Sequence, residues 1–329
     1  MTLTHCELAL LDRWQRGFPL VSRPFAVVGQ SAGISERATL DIFERLRKQQ
    51  MISRIGAIVR PHAVGASTLA AMRVAPDRLG DVAASVSRQP CVSHNYERTN
   101  TFNLWFVITG PDARAVASTI SEIENLTGLP VLDLPLQQAY HLDLGFPLQG
   151  GPRPRRAKSV FAPGFCPDTT DRKLLAAIED GLAIVPEPYG EVADSIGVAE
   201  TEVIMRLKRL AQSGVVTRLG CIVRHRKLGY TANAMAVWNV PDDEADAVAS
   251  ALVRNERVTL CYRRKRARPD WPYNLYCMVH ARSRTDALAV IDDLNVAGGL
   301  SQKKQAVLFS TRCFKQRGAV FSDQAQRVH

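Results

Sequence analysis

The chain has 329 residues, more than one ordinary domain, and 46% of them are hydrophobic, enough to fill more than one core. Its longest apolar runs, such as LWFVIT at 104–109, are too short to cross a bilayer, and residues 1–17 carry Asp12, Arg13 and Arg16 where an export signal needs apolar residues; the expectation is a soluble, cytoplasmic protein. Seven cysteines without a CxxC pair argue against a disulfide framework and a zinc knuckle, whereas a net charge of +10 implies an anionic partner such as nucleic acid, an acidic lipid surface or a small polycarboxylate.

In chain order, PFAVVGQSAG (24–33) and SERATLDIFERLRKQQ (35–50) read as the turn and third helix of a helix-turn-helix. The segments STLAAMRV, DRLGDVAASVSRQ, CVSHNYER, FNLWFVIT, DARAVASTISEIENL and LPVLDL then alternate as strand, helix, strand, strand, helix, strand. A Pro-, Gly- and Arg-rich stretch follows, including PRPRRAK at 152–158, and reads as a solvated linker.

The order then starts again. Thr169 or Thr170 is placed to cap a helix over DRKLLAAIED that Gly181 stops; YGEVADSIG gives a short helix, and AETEVIMRLKRLAQSG a longer one stopped by Gly214. The β-branched VVTRLGCIV is a wing or hinge strand, and TANAMAVWNV, DDEADAVASALVRN, RVTLCYRRK, YNLYCMVHA, RTDALAVIDDLN and QAVLFST repeat the βαββαβ order of a ferredoxin-like sandwich. A shift of 164 residues superposes Gly17 on Gly181, Pro24 on Pro188, Leu46 on Leu210 and Arg54-Ile55-Gly56 on Arg218-Leu219-Gly220. The fold class is therefore α+β, a tandem repeat of a winged helix-turn-helix followed by a ferredoxin-like sandwich. The expected domains are helix-turn-helix 1–60, sandwich 61–148, linker 149–168, helix-turn-helix 169–224 and sandwich 225–329.

A winged helix-turn-helix ahead of such a sandwich resembles the Lrp/AsnC transcription regulators. That likeness alone would imply DNA binding, but Glu36, Asp41 and Glu44 lie in one third helix and Glu200 and Glu202 lead the other, where they would face phosphates unfavourably. DNA is thus an unfavoured partner, and a tetrapyrrole sensor that returns its ligand unchanged is a further alternative.

The motifs HRKLGY (225–230), VSHNYER (92–98) with FNLWF, and VTLCYRRKRARPDWPYNLYCMVH (258–280) resemble the siroheme decarboxylase family, in a form with both related subunits on one chain. The resemblance implies loss of carbon dioxide from the acetate side chains on rings C and D of siroheme, giving 12,18-didecarboxysiroheme in heme d1 biosynthesis, with no added cofactor. It also implies an intramolecular pseudo-dimer of the two copies, open to further homo-oligomerisation or association with related decarboxylase subunits.

Siroheme is an iron macrocycle bearing eight carboxylates, so its site needs fixed cations and flat apolar walls. Arg60, Arg224, Arg226, Lys227, Arg98, Arg263 and Arg264, with Tyr262 and Trp105, are the candidate binding residues. Loss of carbon dioxide leaves an electron pair that a protonated pyrrole accepts, so the reaction needs an acid poised near neutral pH. His225 and His94 are the candidate proton donors, with Tyr96 and Tyr230 beside them. The protein need build no metal site, because the iron belongs to the substrate; His94, His225 or His141 are its candidate contacts. Each copy lacks what the other keeps: His94-Asn95-Tyr96 matches Leu260-Cys261-Tyr262, and His225-Arg226-Lys227 matches Pro61-His62-Ala63. Either one site draws on both halves, or each half has its own pocket and one is degenerate.

Overall fold

The computed structural model describes residues 3–142, 145, 148 and 164–319, apart from the side chain of His225; the expected linker and its basic run lie largely outside the described residues. The first half contains α1 (His5–Trp14), α2 (Pro24–Gln30), α3 (Glu36–Lys48), β1 (Ile52–Val59), β2 (Ala66–Met72), α4 (Leu79–Arg88), β3 (Val92–Arg98), β4 (Leu104–Gly110), α5 (Ala113–Thr127) and β5 (Leu132–Leu142). The second contains α6 (Thr169–Ala177), α7 (Pro188–Ile196), α8 (Glu200–Gln212), β6 (Val216–Val223), a 3-10 turn (His225–Leu228), β7 (Ala232–Trp238), α9 (Ala245–Leu252), β8 (Val258–Arg264), β9 (Leu275–Ala281), α10 (Arg284–Ala297) and β10 (Gln305–Gln316). The chain folds into two compact units, each drawing on both halves: Met1–Val64 with Gly145–Leu228, and Gly65–Leu144 with Gly229–His329.

The first unit holds both helix-turn-helix copies, and its halves exchange backbone bonds. β1 and β6 pair antiparallel with Gly56 opposite Gly220. Phe18 N donates to Leu219 O at 3.1 Å and Leu182 N to Ile55 O at 2.7 Å, so the tail of each half's first helix docks on the other half's strand. Gly220 permits the approach, because a Cβ there would stand 2.3 Å from the Gln15 carbonyl oxygen. Likewise Arg60 N donates to Val215 O and Arg224 N to Met51 O, each at 2.8 Å. Phe18, Phe25 and Phe43 pack edge to face with centroids 5.5 and 5.7 Å apart, filling the space under α2 and α3. The cap of α6 is Asp168, one residue before the expected threonines. It accepts from Asp171 N at 2.8 Å while Asp171 accepts from Asp168 N, a reciprocal box that Thr169, with Arg172 three residues on, could not form.

The second unit is an eight-stranded closed barrel in the order β10-β3-β4-β2-β5-β8-β9-β7, antiparallel at every seam. Its closure explains why β5 and β10 outrun the expected LPVLDL and QAVLFST. The first part of β5 pairs with β2 of its own half and the rest with β8 of the other; β10 does the same with β7 and then β3. Neither half closes a sheet alone, and the shared seams leave no open edge. Strand alternation sorts the core into layers. Leu104, Phe106 and Ile108 of β4 pack under α4 and α5, and Leu275, Cys277 and Val279 of β9 pack under α9 and α10. Ala71, Trp105, Met235, Val237, Tyr276 and Leu308 point the other way and form one cluster common to both halves inside the barrel.

Candidate active site

Because the strands alternate in direction all round the barrel, the β3–β4 and β8–β9 hairpins lie at the same end. The second hairpin is the longer, spanning Lys265–Asn274 where the first spans Thr99–Asn103, and the extra residues carry Trp271 into the barrel. Its indole Nε1 donates to the Tyr276 hydroxyl at 2.7 Å and meets Trp105 and Tyr273 edge to face at 5.0 and 4.8 Å. Trp105 in turn donates to Phe102 O at 2.6 Å, so this sequence-predicted wall residue is packed within an aromatic plug. Trp271 and Trp105 keep 2% and 1% of their surface. Farther from the hairpins, His94, Tyr96, Val107, Leu260, Tyr262 and Met278 face inward and are only half-buried, so solvent reaches the inner wall there.

Two arginines put fixed charge on that wall. Arg98 Nη1 donates to Leu308 O at 3.3 Å and its guanidinium lies 5.8 Å from the Tyr96 ring. Arg264 Nη1 donates to Leu134 O at 2.9 Å and lies 5.4 and 5.9 Å from the Tyr262 and Tyr276 rings. Each arginine thus braces the last strand of the opposite half. Burial lowers the pKa of Arg264 from its ordinary value, and burial also pushes the Tyr262 phenol up to about 12, outweighing the neighbouring Arg264. Arg263, adjacent in sequence, alternates to the helix-covered face, where its Nη1 stands 3.5 Å from Asp246 of α9.

On β3, register slips by one residue between Val92 and His94, leaving Ser93 as a bulge. Ser93 Oγ donates to Val107 O at 3.3 Å, and His94 Nδ1 stands 3.1 Å from Ser93 Oγ. A hydroxyl has one hydrogen; with that given to the carbonyl, Ser93 accepts from Nδ1–H, which makes Nε2 the unprotonated nitrogen of the neutral ring. The His94 ring lies 6.3 Å from Tyr96, at 25° to it. His141 is half-buried on β5 opposite Cys261, and Tyr230 precedes β7 with the Arg282 guanidinium 5.6 Å from its ring.

The remaining expected residues belong to the first unit. Arg60 Nε donates to Gly214 O at 3.0 Å, closing the turn after α8. The equivalent Arg224 Nε is buried with no hydrogen-bond partner among the described residues. Arg226 is half-buried and Lys227 exposed on the 3-10 turn that His225 opens; the His225 side chain lies outside the described residues.

Sequence reasoning missed Arg317, just beyond β10. Its backbone N donates to Ser93 O at 2.9 Å, and its buried Nε and Nη2 have no hydrogen-bond partner among the described residues. It also missed the pairing of His280 Nδ1 with Thr259 Oγ1 at 2.9 Å. The bulges that create both sets of neighbours have no signature in a single sequence.

Comparison with known proteins fits this geometry. A family model described as a siroheme decarboxylase NirDL-like HTH domain matches residues 7–52 and 171–216, and an AsnC-like ligand binding domain matches 63–141 and 227–315. The chain is 43% identical over 327 residues to a siroheme decarboxylase NirDL subunit of Paracoccus denitrificans, covering 99% of this chain and 100% of that one. A siroheme decarboxylase NirD subunit of Stutzerimonas stutzeri is 45% identical over 139 residues, which is 42% of this chain and 91% of the subunit. The crystal structure of a siroheme decarboxylase NirDL superposes with a TM-score of 0.68 at 28% identity, covering 98% of this chain and 96% of that one. A second structure, in complex with an iron-uroporphyrin III analogue, superposes with the same TM-score at 27% identity and covers 98% and 95%.

Proposed function

Since this chain belongs to the siroheme decarboxylase family and is a decarboxylase, we propose that it removes carbon dioxide from the acetate side chains on rings C and D of siroheme, yielding 12,18-didecarboxysiroheme in heme d1 biosynthesis. The observation that carries this reading is the half-open inner wall of the barrel, where His94 is fixed through Ser93 and the charges of Arg98 and Arg264 are held against tyrosine rings. Buried guanidinium groups favour an anionic guest, and the apolar and aromatic inward residues suit a flat macrocycle.

In this reading the bond between a side-chain methylene and its carboxylate breaks, and carbon dioxide departs. The electron pair passes into the protonated pyrrole. One net proton turns the methylene into a methyl group, so charge and atoms balance without an oxidant or a cofactor. His94 supplies that proton from Nε2, with Tyr96 beside it. Arg98, Arg264 and Tyr262 bind the ring and its carboxylates. Trp105 supports the wall from within the plug. Water exclusion at the plugged end strengthens these charge interactions.

DNA is not a partner in this reading. Arg23 pairs with Glu36 at the leading end of α3, and Ser22 Oγ donates to Glu200 at the leading end of α8 at 2.8 Å. Tyr189 of α7 donates to Pro19 O at 2.8 Å. The leading end of α8 is thereby engaged by the first half's turn, with carboxylates where phosphates would have to lie.

The test is anaerobic incubation of the purified protein with siroheme, followed by mass spectrometry of the macrocycle. Loss of two carbon dioxide units is expected, and His94→Ala is expected to slow it by about 100-fold or more. Tightly bound but unchanged siroheme would overturn the enzyme reading in favour of a sensor.

A further inference from the structure

The bulge that presents His94 occurs twice. On β8 the register slips between Val258 and Leu260, leaving Thr259 as the extra residue just as Ser93 is on β3. Thr259 Oγ1 donates to Met278 O at 3.1 Å, the counterpart of Ser93 donating to Val107 O at 3.3 Å. Both hydroxyls also meet an imidazole Nδ1, but the two imidazoles stand on different strands. In the first half it is His94 on β3; in the second it is His280 on β9, at 2.9 Å from Thr259. The residue equivalent to His94 is Leu260, and the residue equivalent to His280 is Thr109. Duplication therefore kept the hydroxyl and moved the ring.

His280 shares the inner face. On β9 it continues the inward series Tyr276 and Met278, whereas Leu275, Cys277, Val279 and Ala281 pack under the helices. Asn233 of β7 lies directly across from it, and 7% of its surface remains accessible. With the Thr259 hydrogen given to Met278 O, Thr259 accepts from His280 Nδ1–H, so Nε2 is again the unprotonated nitrogen of the neutral ring.

We propose that His280, held by Thr259, is a second proton-donating imidazole on the inner wall, and that the two carboxylates leave at two stations, one served by His94 and the other by His280. This rests on the siroheme decarboxylase reading. At each station the chemistry is the same: one methylene–carboxylate bond breaks, one carbon dioxide leaves and one proton enters.

The decisive experiment is an anaerobic single-turnover time course with siroheme, read by mass spectrometry, on the full chain and on His94→Gln, His280→Gln, Thr259→Val and Thr259→Ser. Binding of iron-uroporphyrin III, followed by its absorbance change, reports whether each variant keeps its pocket. His280→Gln is expected to lose one carbon dioxide at close to the normal rate and the second about 100-fold more slowly, accumulating a singly decarboxylated macrocycle. His94→Gln should accumulate the other positional isomer. Thr259→Val should slow the same step as His280→Gln, and Thr259→Ser should restore it; this contrast decides the matter if His280→Gln fails to bind. Two losses at the normal rate in a binding-competent His280→Gln, or equal slowing of both, would overturn the proposal. Intact siroheme with the unaltered chain would instead refute the decarboxylase reading itself.

Discussion

Asp168 shows how much one side chain does at a helix start. Its carboxyl is held down from an ordinary 3.8 to about 2, first by the hydrogen bond from Arg206 and then by the Asp171 backbone N–H. A carboxylate whose pKa is lowered by folding stabilises the protein above its unfolded pKa, and that contribution fades as pH falls from about 4 toward 2. Half of the side chain is exposed, so the ion pair is worth only about 0.2–1 kcal/mol. Asp168→Asn keeps a good cap and removes the charge. Its denaturation midpoint should lie slightly below that of the unaltered chain at pH 6 and converge with it near pH 2. At this scale the sequence was only partly legible. Arg263 and Arg264 were both read as binding residues, yet a strand sends neighbours to opposite faces, and only Arg264 points inward. Which of the two does so depends on the bulge at Thr259, and Thr259 itself carries no sign of the His280 partnership in the order of residues.

At the scale of elements, the twofold repeat and the helix-turn-helix and βαββαβ orders followed directly from periodicity and glycine stops. What escaped was everything that one half contributes to the other. The far ends of β5 and β10 read LQQAYHL and TRCFKQ, without the apolar alternation of a half-buried strand, because their partners are the edges of the opposite sheet. Helix α1 was also missed in the first copy, although Thr4 and Glu7 form a capping box at its start. The glycines of the β1–β6 pair carry the exchange that does appear in the sequence, in the repeated Arg-x-Gly. Gly220→Ala would push a methyl group into the Gln15 carbonyl, a backbone atom that cannot swing away. The expected cost is about 1–3 kcal/mol, seen as a lower denaturation midpoint with β6 amides exchanging faster.

For the whole molecule, the interlocked halves predict how the chain tolerates cutting. Expressed separately, residues 1–148 and 164–329 each lack the strand that seals the barrel and the helix tail that docks on β1 or β6. Each should be poorly soluble alone; co-expressed, they should purify as a one-to-one complex that regains decarboxylation, as measured by size exclusion and turnover of siroheme. Full activity in one isolated half would contradict this. The unequal hairpins have a different consequence, one of traffic. With Trp271 and Trp105 filling the barrel at the hairpin end, a macrocycle held on the inner wall as proposed would find no through-passage among the described residues. On the proposed reading it would back out along the path by which it came, and an incoming ring would not push the finished one ahead of it. Departure would then keep its own clock, unhurried by any excess of fresh substrate outside.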